Sequence, residues 1–237
     1  MSAQRLLLVA ASALALLRPA DLTAQQIAYA ASAVAELDSA TQAAVVRELG
    51  RARSRGLPVQ PLVAKVREGQ VKRATPDRIR IAVSALATRL DSARSALGAE
   101  SNVAEIVAGA DAIAAGVTMP TLRSVRAAGG VRDLSAPIGA LAQLVASGVP
   151  VRRATEMVLE LLKRDAGPRE LLAFGNAVET DVGAGVPAEE SAVFRLRAIE
   201  SQGIGADRLT VSAPDGVPTS LGKPGGNTSG ATPKRRP

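Results

Sequence analysis

The side chains available for acid–base chemistry in this 237-residue chain are mainly carboxylates, because it contains no His and no Cys. A Ser-His-Asp relay, a thiolate nucleophile, Cys-held zinc and an iron–sulfur cluster are therefore excluded. Arg152, Glu156, Glu160 and Arg164 follow one another at four-residue steps. On a helix they share one face, where Glu156 and Glu160 could in principle exchange a proton or hold a cation. Flanking arginines favour the ionised carboxylate, which is wrong for a general acid. An ion-pair ladder is the simpler expectation.

Three Glu-Ser dipeptides, Glu100-Ser101, Glu190-Ser191 and Glu200-Ser201, resemble the acid of a helical cell-wall lyase in residue type alone. Such chemistry needs an aromatic-lined sugar groove. Tyr29, Phe174 and Phe194 are the only aromatic residues in the chain. Ser220 and Lys223 match a Ser-x-x-Lys string, but it lies in a Pro- and Gly-rich stretch that offers no rigid helix start. No phosphate-cradling glycine loop, zinc string or calcium loop is present. The expectation is a non-catalytic protein with no cofactor and no metal.

The most informative polar feature is basic. Arg47, Arg51, Arg53, Arg55, Lys65, Arg67, Lys72, Arg73, Arg78 and Arg80 are opposed over the same stretch only by Glu48, Glu68 and Asp77. Arginine forks suit phosphate and carboxylate. These ten residues are the candidate anion-binding set, and a solvated helix face is the alternative. Nucleic acid is disfavoured as the partner, since no aromatic residue interleaves with the basic ones.

The elements that must position these residues are helices. Pro76 to Leu97 is the clearest, with Ile79, Val83, Leu86, Leu90, Ala93 and Leu97 on one face. Thr75 suits its N-cap, Pro76 its first turn and Gly98 its end. Further helices are predicted near 26–36, 40–54, 59–68, 102–115, 120–128, 136–147, 151–164, 168–182 and 188–201. Ser39 with Gln42, and Asn102 with Glu105, read as capping boxes. Phe174 and Phe194 read as core anchors on the last two helices, and Tyr29 as a packing residue.

Gly-Leu-Pro at 56–58 and Gly-Val-Pro at 148–150 and 185–187 stand between helices, with a looser copy at 116–120. Gly ends a helix in the left-handed conformation, the next residue packs back, and Pro starts the following helix. Pro58 and Pro76 are 18 residues apart, and Pro150, Pro168 and Pro187 are 18 and 19 apart. The fold expected is all-α without a sheet, about ten helices in an antiparallel bundle or a short helical-repeat array. Ala and Val carry much of the apolar content, so the helices should approach closely.

Two terminal segments lie outside that domain. Arg5 followed by the apolar run Leu6 to Leu17 and by Ala24 reads as a signal peptide over 1–24. A 12-residue helix reaches about 18 Å, too short for a hydrocarbon core of about 30 Å. Residues 25–211 form the helical domain, and 212–237 read as a disordered basic tail rich in Pro, Gly, Ser and Thr. The chain is thus expected in the periplasm or outside the cell, as an interaction or structural module of the envelope. The alternative is an anion-binding envelope protein that uses segment 47–80 on lipid phosphate or acidic glycan. The sequence names no partner; it leaves envelope proteins and anionic envelope polymers as the two classes.

Overall fold

The computed structural model describes residues 32–130 and 132–202. The proposed signal peptide, Tyr29 and the proposed tail lie outside the described residues. Among the described residues the fold is all-helical, with no strand. Nine helices follow one another there: α1 (Ser39–Ser54), α2 (Gln60–Val71), α3 (Pro76–Leu97), α4 (Val103–Ala114), α5 (Met119–Gly129), α6 (Ser135–Ala146), α7 (Val151–Lys163), α8 (Pro168–Gly183) and α9 (Ala188–Gln202). Residues 32–35 are helical as well. No helix among the described residues is long and apolar enough to cross a membrane.

Local chemistry explains the boundaries. Thr75 accepts a hydrogen bond from the Arg78 N–H and starts α3 with Pro76 in its first turn. Asn102 and Glu105 form the expected reciprocal cap on α4. The box expected from Ser39 and Gln42 does not form. Asp38 caps α1 instead, its Oδ1 accepting the Thr41 N–H at 3.0 Å. That bond holds the Asp38 carboxyl below its ordinary value. A carboxylate at this position also meets the positive end of the helix dipole.

The helix junctions share one geometry. At six of them among the described residues, the N–H three places beyond the helix bonds back to the carbonyl five residues earlier: Leu57 to Ala52, Ala74 to Gly69, Val117 to Ala112, Val149 to Leu144, Ala166 to Leu161 and Val186 to Asp181. The preceding residue has positive φ each time, and four of these are Gly56, Gly116, Gly148 and Gly185. The other two are Arg73 (φ 51°) and Asp165 (φ 58°), where a side chain occupies backbone space that favours glycine.

Arg73 has no side-chain partner among the described residues, so Arg73→Gly is expected to raise the urea unfolding midpoint, by about 0.5–1 kcal/mol in stability. Asp165→Gly should gain less, because Asp tolerates this conformation better and Asp165 also pairs with Arg132. An unchanged or lowered midpoint for Arg73→Gly would show that the backbone there is unstrained.

Packing decides between bundle and array. Beyond sequence neighbours, helices pack on the helix two places along: α1 on α3, α3 on α5, α4 on α6, α5 on α7 and α6 on α8. Polar ties set the direction of such pairs. Arg80 near the start of α3 bonds Thr41 near the start of α1, and Arg55 after the end of α1 bonds Asp91 late in α3. Arg153 and Arg164 reach Glu189 and Glu200 in the same order on α7 and α9. Helices two apart are therefore parallel, and consecutive ones reverse. Four ties, Arg55–Asp91, Gln143–Glu179, Arg153–Glu189 and Arg164–Glu200, each span 36 residues. That is two helices with their turns, the register of a stacked array.

The core runs along the array rather than gathering at one centre. Leu62, Val66, Val83 and Leu90 fill its first part; Leu122, Ile138, Leu141, Leu161 and Phe174 fill its second. Small residues let the helices approach. Gly109 of α4 lies against α3 so closely that an added Cβ would stand 2.9 Å from the Ala93 Cβ. Phe174 is fully buried, as expected, whereas Phe194 is only half-buried and borders the surface.

Candidate functional site

The ten basic residues do not share one surface. Arg47, Arg51 and Arg80 converge on a groove of about 220 Å³ between α1 and α3. Arg47 and Arg51 lie one helical turn apart on α1, and α3 runs parallel beside it, which brings Arg80 opposite. Ala44 borders the groove above the buried Val45 and Val83, and Glu48 also lines it. Arg80 is fixed: it donates to Thr41 Oγ1 at 3.1 Å and pairs with Asp77. Arg51 reaches Glu48 only at 3.4 Å. Arg47 has no side-chain hydrogen bond or ion pair among the described residues.

The other seven are dispersed. Lys65 and Lys72 both bond Glu68, and the two hydrogen bonds hold its carboxyl at about 2. Arg55 pairs with Asp91, and Arg67 bonds Ser32 Oγ at 2.8 Å. Arg53, Arg73 and Arg78 stand exposed, apart from the groove.

A second depression, of about 330 Å³, is lined by Glu189, Glu190, Val193, Phe194 and Arg197 on α9. It brings one Glu-Ser pair beside Phe194, but Ser191 turns the other way and donates to Asp181 Oδ2 at 2.6 Å. Ser101 bonds the Gly98 carbonyl and Ser201 the Ala198 carbonyl, so no dipeptide acts as a unit. The ladder on α7 forms as an ion-pair network. Arg152 meets Glu156, Arg164 meets Glu160, and Arg153 and Arg164 extend it to α9. Among the described residues no cluster of three potential metal ligands occurs.

Two buried carboxylates escaped the sequence analysis or were only half understood. Asp181 on α8 accepts from Arg195 Nε at 2.8 Å and Nη2 at 2.7 Å, a two-pronged bond, besides its bond from Ser191. All three residues are buried. The Arg195 guanidinium, then the Ser191 hydroxyl, hold the Asp181 carboxyl below its ordinary value against the cost of burial. A signal was present: Leu171, Phe174, Val178 and Asp181 share one helical stripe, as do Ala192, Arg195 and Ile199. An acid and a base on facing apolar stripes imply a buried pair.

Glu105 does more than cap α4. Its Oε2 accepts the Asn102 N–H at 3.0 Å, and its Oε1 accepts the Leu134 N–H at 2.9 Å at the start of α6. Arg126 Nη2 of α5 approaches Oε2 to 2.7 Å, a contact of charge rather than an aligned hydrogen bond. Both buried carboxylates are thus engaged in joining helices. Asp111 on α4 is the carboxylate whose surroundings raise its proton affinity: lost hydration outweighs Arg89 and Lys65. It lies outside both depressions.

The chain matches no protein-family model, no curated protein and no solved structure.

Proposed function

We propose that this chain is an exported, non-catalytic helical-array protein that serves as an interaction module of the cell envelope. Export rests on the Arg5, Leu6–Leu17 and Ala24 pattern of the sequence. The interaction role rests chiefly on the α9 depression, where Val193 and Phe194 give an apolar floor with Glu189, Glu190 and Arg197 at its rim. An apolar patch edged by charge suits a protein partner. An array presents such faces along its length, because each helix layer keeps one side toward solvent. The commitment of Glu105 and Asp181 to helix–helix contacts supports a role without catalysis.

Two measurements test this. Residues 1–24 fused to a reporter active only outside the cytoplasm should yield activity, and replacing both Leu8 and Leu14 by charged residues should abolish it. A photo-crosslinking residue at Arg197 should give a discrete envelope-protein adduct in living cells, while the same residue at exposed Arg123 on α5 should not. Equal labelling at both positions, or none at Arg197, would sink the interaction role. Reporter activity that survives the charged residues would sink export.

A further inference from the structure

We propose that the groove between α1 and α3 is a binding site for a phosphate monoester, held by Arg47, Arg51 and Arg80. The site goes beyond the partner-binding role and stands or falls separately, since it uses the opposite part of the chain.

The groove carries three guanidinium groups against the carboxylate of Glu48 and that of Asp77, which pairs with Arg80, a local excess of one positive charge. The donors come from two helices, so they surround a tetrahedral group from different sides rather than pairing edge-on with a planar one.

The three arginines have distinct roles. Arg80 is half-buried and already oriented by Thr41 and Asp77, so little freedom is lost when it binds. Arg51 is loosely held by Glu48 and is 71% exposed, which leaves it able to turn. Arg47 engages no described side chain, so its donors are available without breaking a bond. Ala44, partly exposed beside the arginines, is the apolar contact left for the carbon side of the ester, since Val45 and Val83 are buried in the core. Arg53, Arg73 and Arg78 carry the same charge without convergence, so they make no site.

The phosphate ester could belong to a soluble metabolite or to a lipid headgroup, and the probes separate the two. Glycerol 1-phosphate would be titrated into the purified protein by calorimetry, and the protein would be floated with phosphatidylcholine vesicles with or without phosphatidic acid. Both would be repeated across a salt series. Arg47→Gln is compared with Arg53→Gln, which changes charge equally on the same helix. Each variant is first checked for an unchanged unfolding midpoint, since neither arginine has a structural partner among the described residues.

Arg47→Gln should weaken binding about tenfold, and Arg53→Gln by less than about twofold. Binding should fall with added salt. Binding of glycerol 1-phosphate alone assigns a soluble ester, and binding of phosphatidic acid vesicles alone assigns a headgroup; either supports the site. Failure of both probes to bind overturns it. So does equal weakening by the two variants, which would mean diffuse attraction, or no weakening by Arg47→Gln.

Discussion

Arg195→Met should destabilise the protein by about 3 kcal/mol at neutral pH, because it leaves the buried Asp181 carboxylate without its cation. Ser191 would still donate one hydrogen bond, too little to offset a buried charge. Asp181→Asn should be costly for the converse reason, and its pH dependence carries the sharper test. Asp181 has a lowered proton affinity in the folded chain, so its contribution is fully present above its ordinary value of 3.8 and is lost as pH falls through the lower folded value. The stability gap between the parent and Asp181→Asn, read by urea unfolding, should therefore be widest near neutrality and shrink in acid. A gap that stays constant with pH would mean that the carboxylate charge does not stabilise the fold.

The loss should also be local. In a stacked array each helix relies on its near neighbours. Amide exchange should therefore rise first in α8 and α9 of the Arg195→Met protein while α2 and α3 keep their protection. Uniform loss of protection would indicate that the array unfolds as one cooperative unit.

Glu105→Ala should cost about 3 kcal/mol, well above the effect of an ordinary helix cap. Three groups lose a partner at once: the Asn102 N–H, the Leu134 N–H and the half-buried Arg126 guanidinium. Asn102→Ala provides the scale, since it removes the return half of the capping box but leaves the Glu105 side-chain bonds in place, and should cost about 1 kcal/mol. Exchange of the Leu134 amide should accelerate in Glu105→Ala and not in Asn102→Ala. If both variants lose the same stability, Glu105 is a cap alone and its tie between α4 and α6 carries no energy.

Much of the helix layout was legible because helix ends are written locally. Thr75 with Pro76, Asn102 with Glu105 and the glycines at 56, 116, 148 and 185 act within a few residues of themselves. Predicted and observed ends differ by no more than three residues for the nine helices described. The misassigned cap on α1 arose because Asp38 and Ser39 are adjacent and both suit the position; the carboxylate took it. The turns at Arg73 and Asp165 went unnoticed because a side chain there breaks the glycine signature while the backbone bond remains the same.

The basic segment shows where local patterning stops. Ten like charges in a row of residues give no direction to any of them. Their fate depends on which helix lies alongside: α3 beside α1 gathers Arg47, Arg51 and Arg80, whereas Glu68 on α2 takes up Lys65 and Lys72.

The sequence by itself determined that the described residues are helical, where their helices begin and end to within three residues, and that thiol and imidazole chemistry are absent. Those are consequences of composition and of hydrogen bonds closed within a few residues. The tertiary structure alone decided that helices two apart run parallel with ties 36 residues long, that Asp181 meets Arg195, and that three of ten arginines and lysines face one groove. Each of these depends on contacts between residues distant in the chain. Such contacts are set by how small side chains such as Gly109 and Ala93 let whole helices approach, and no local pattern encodes that distance.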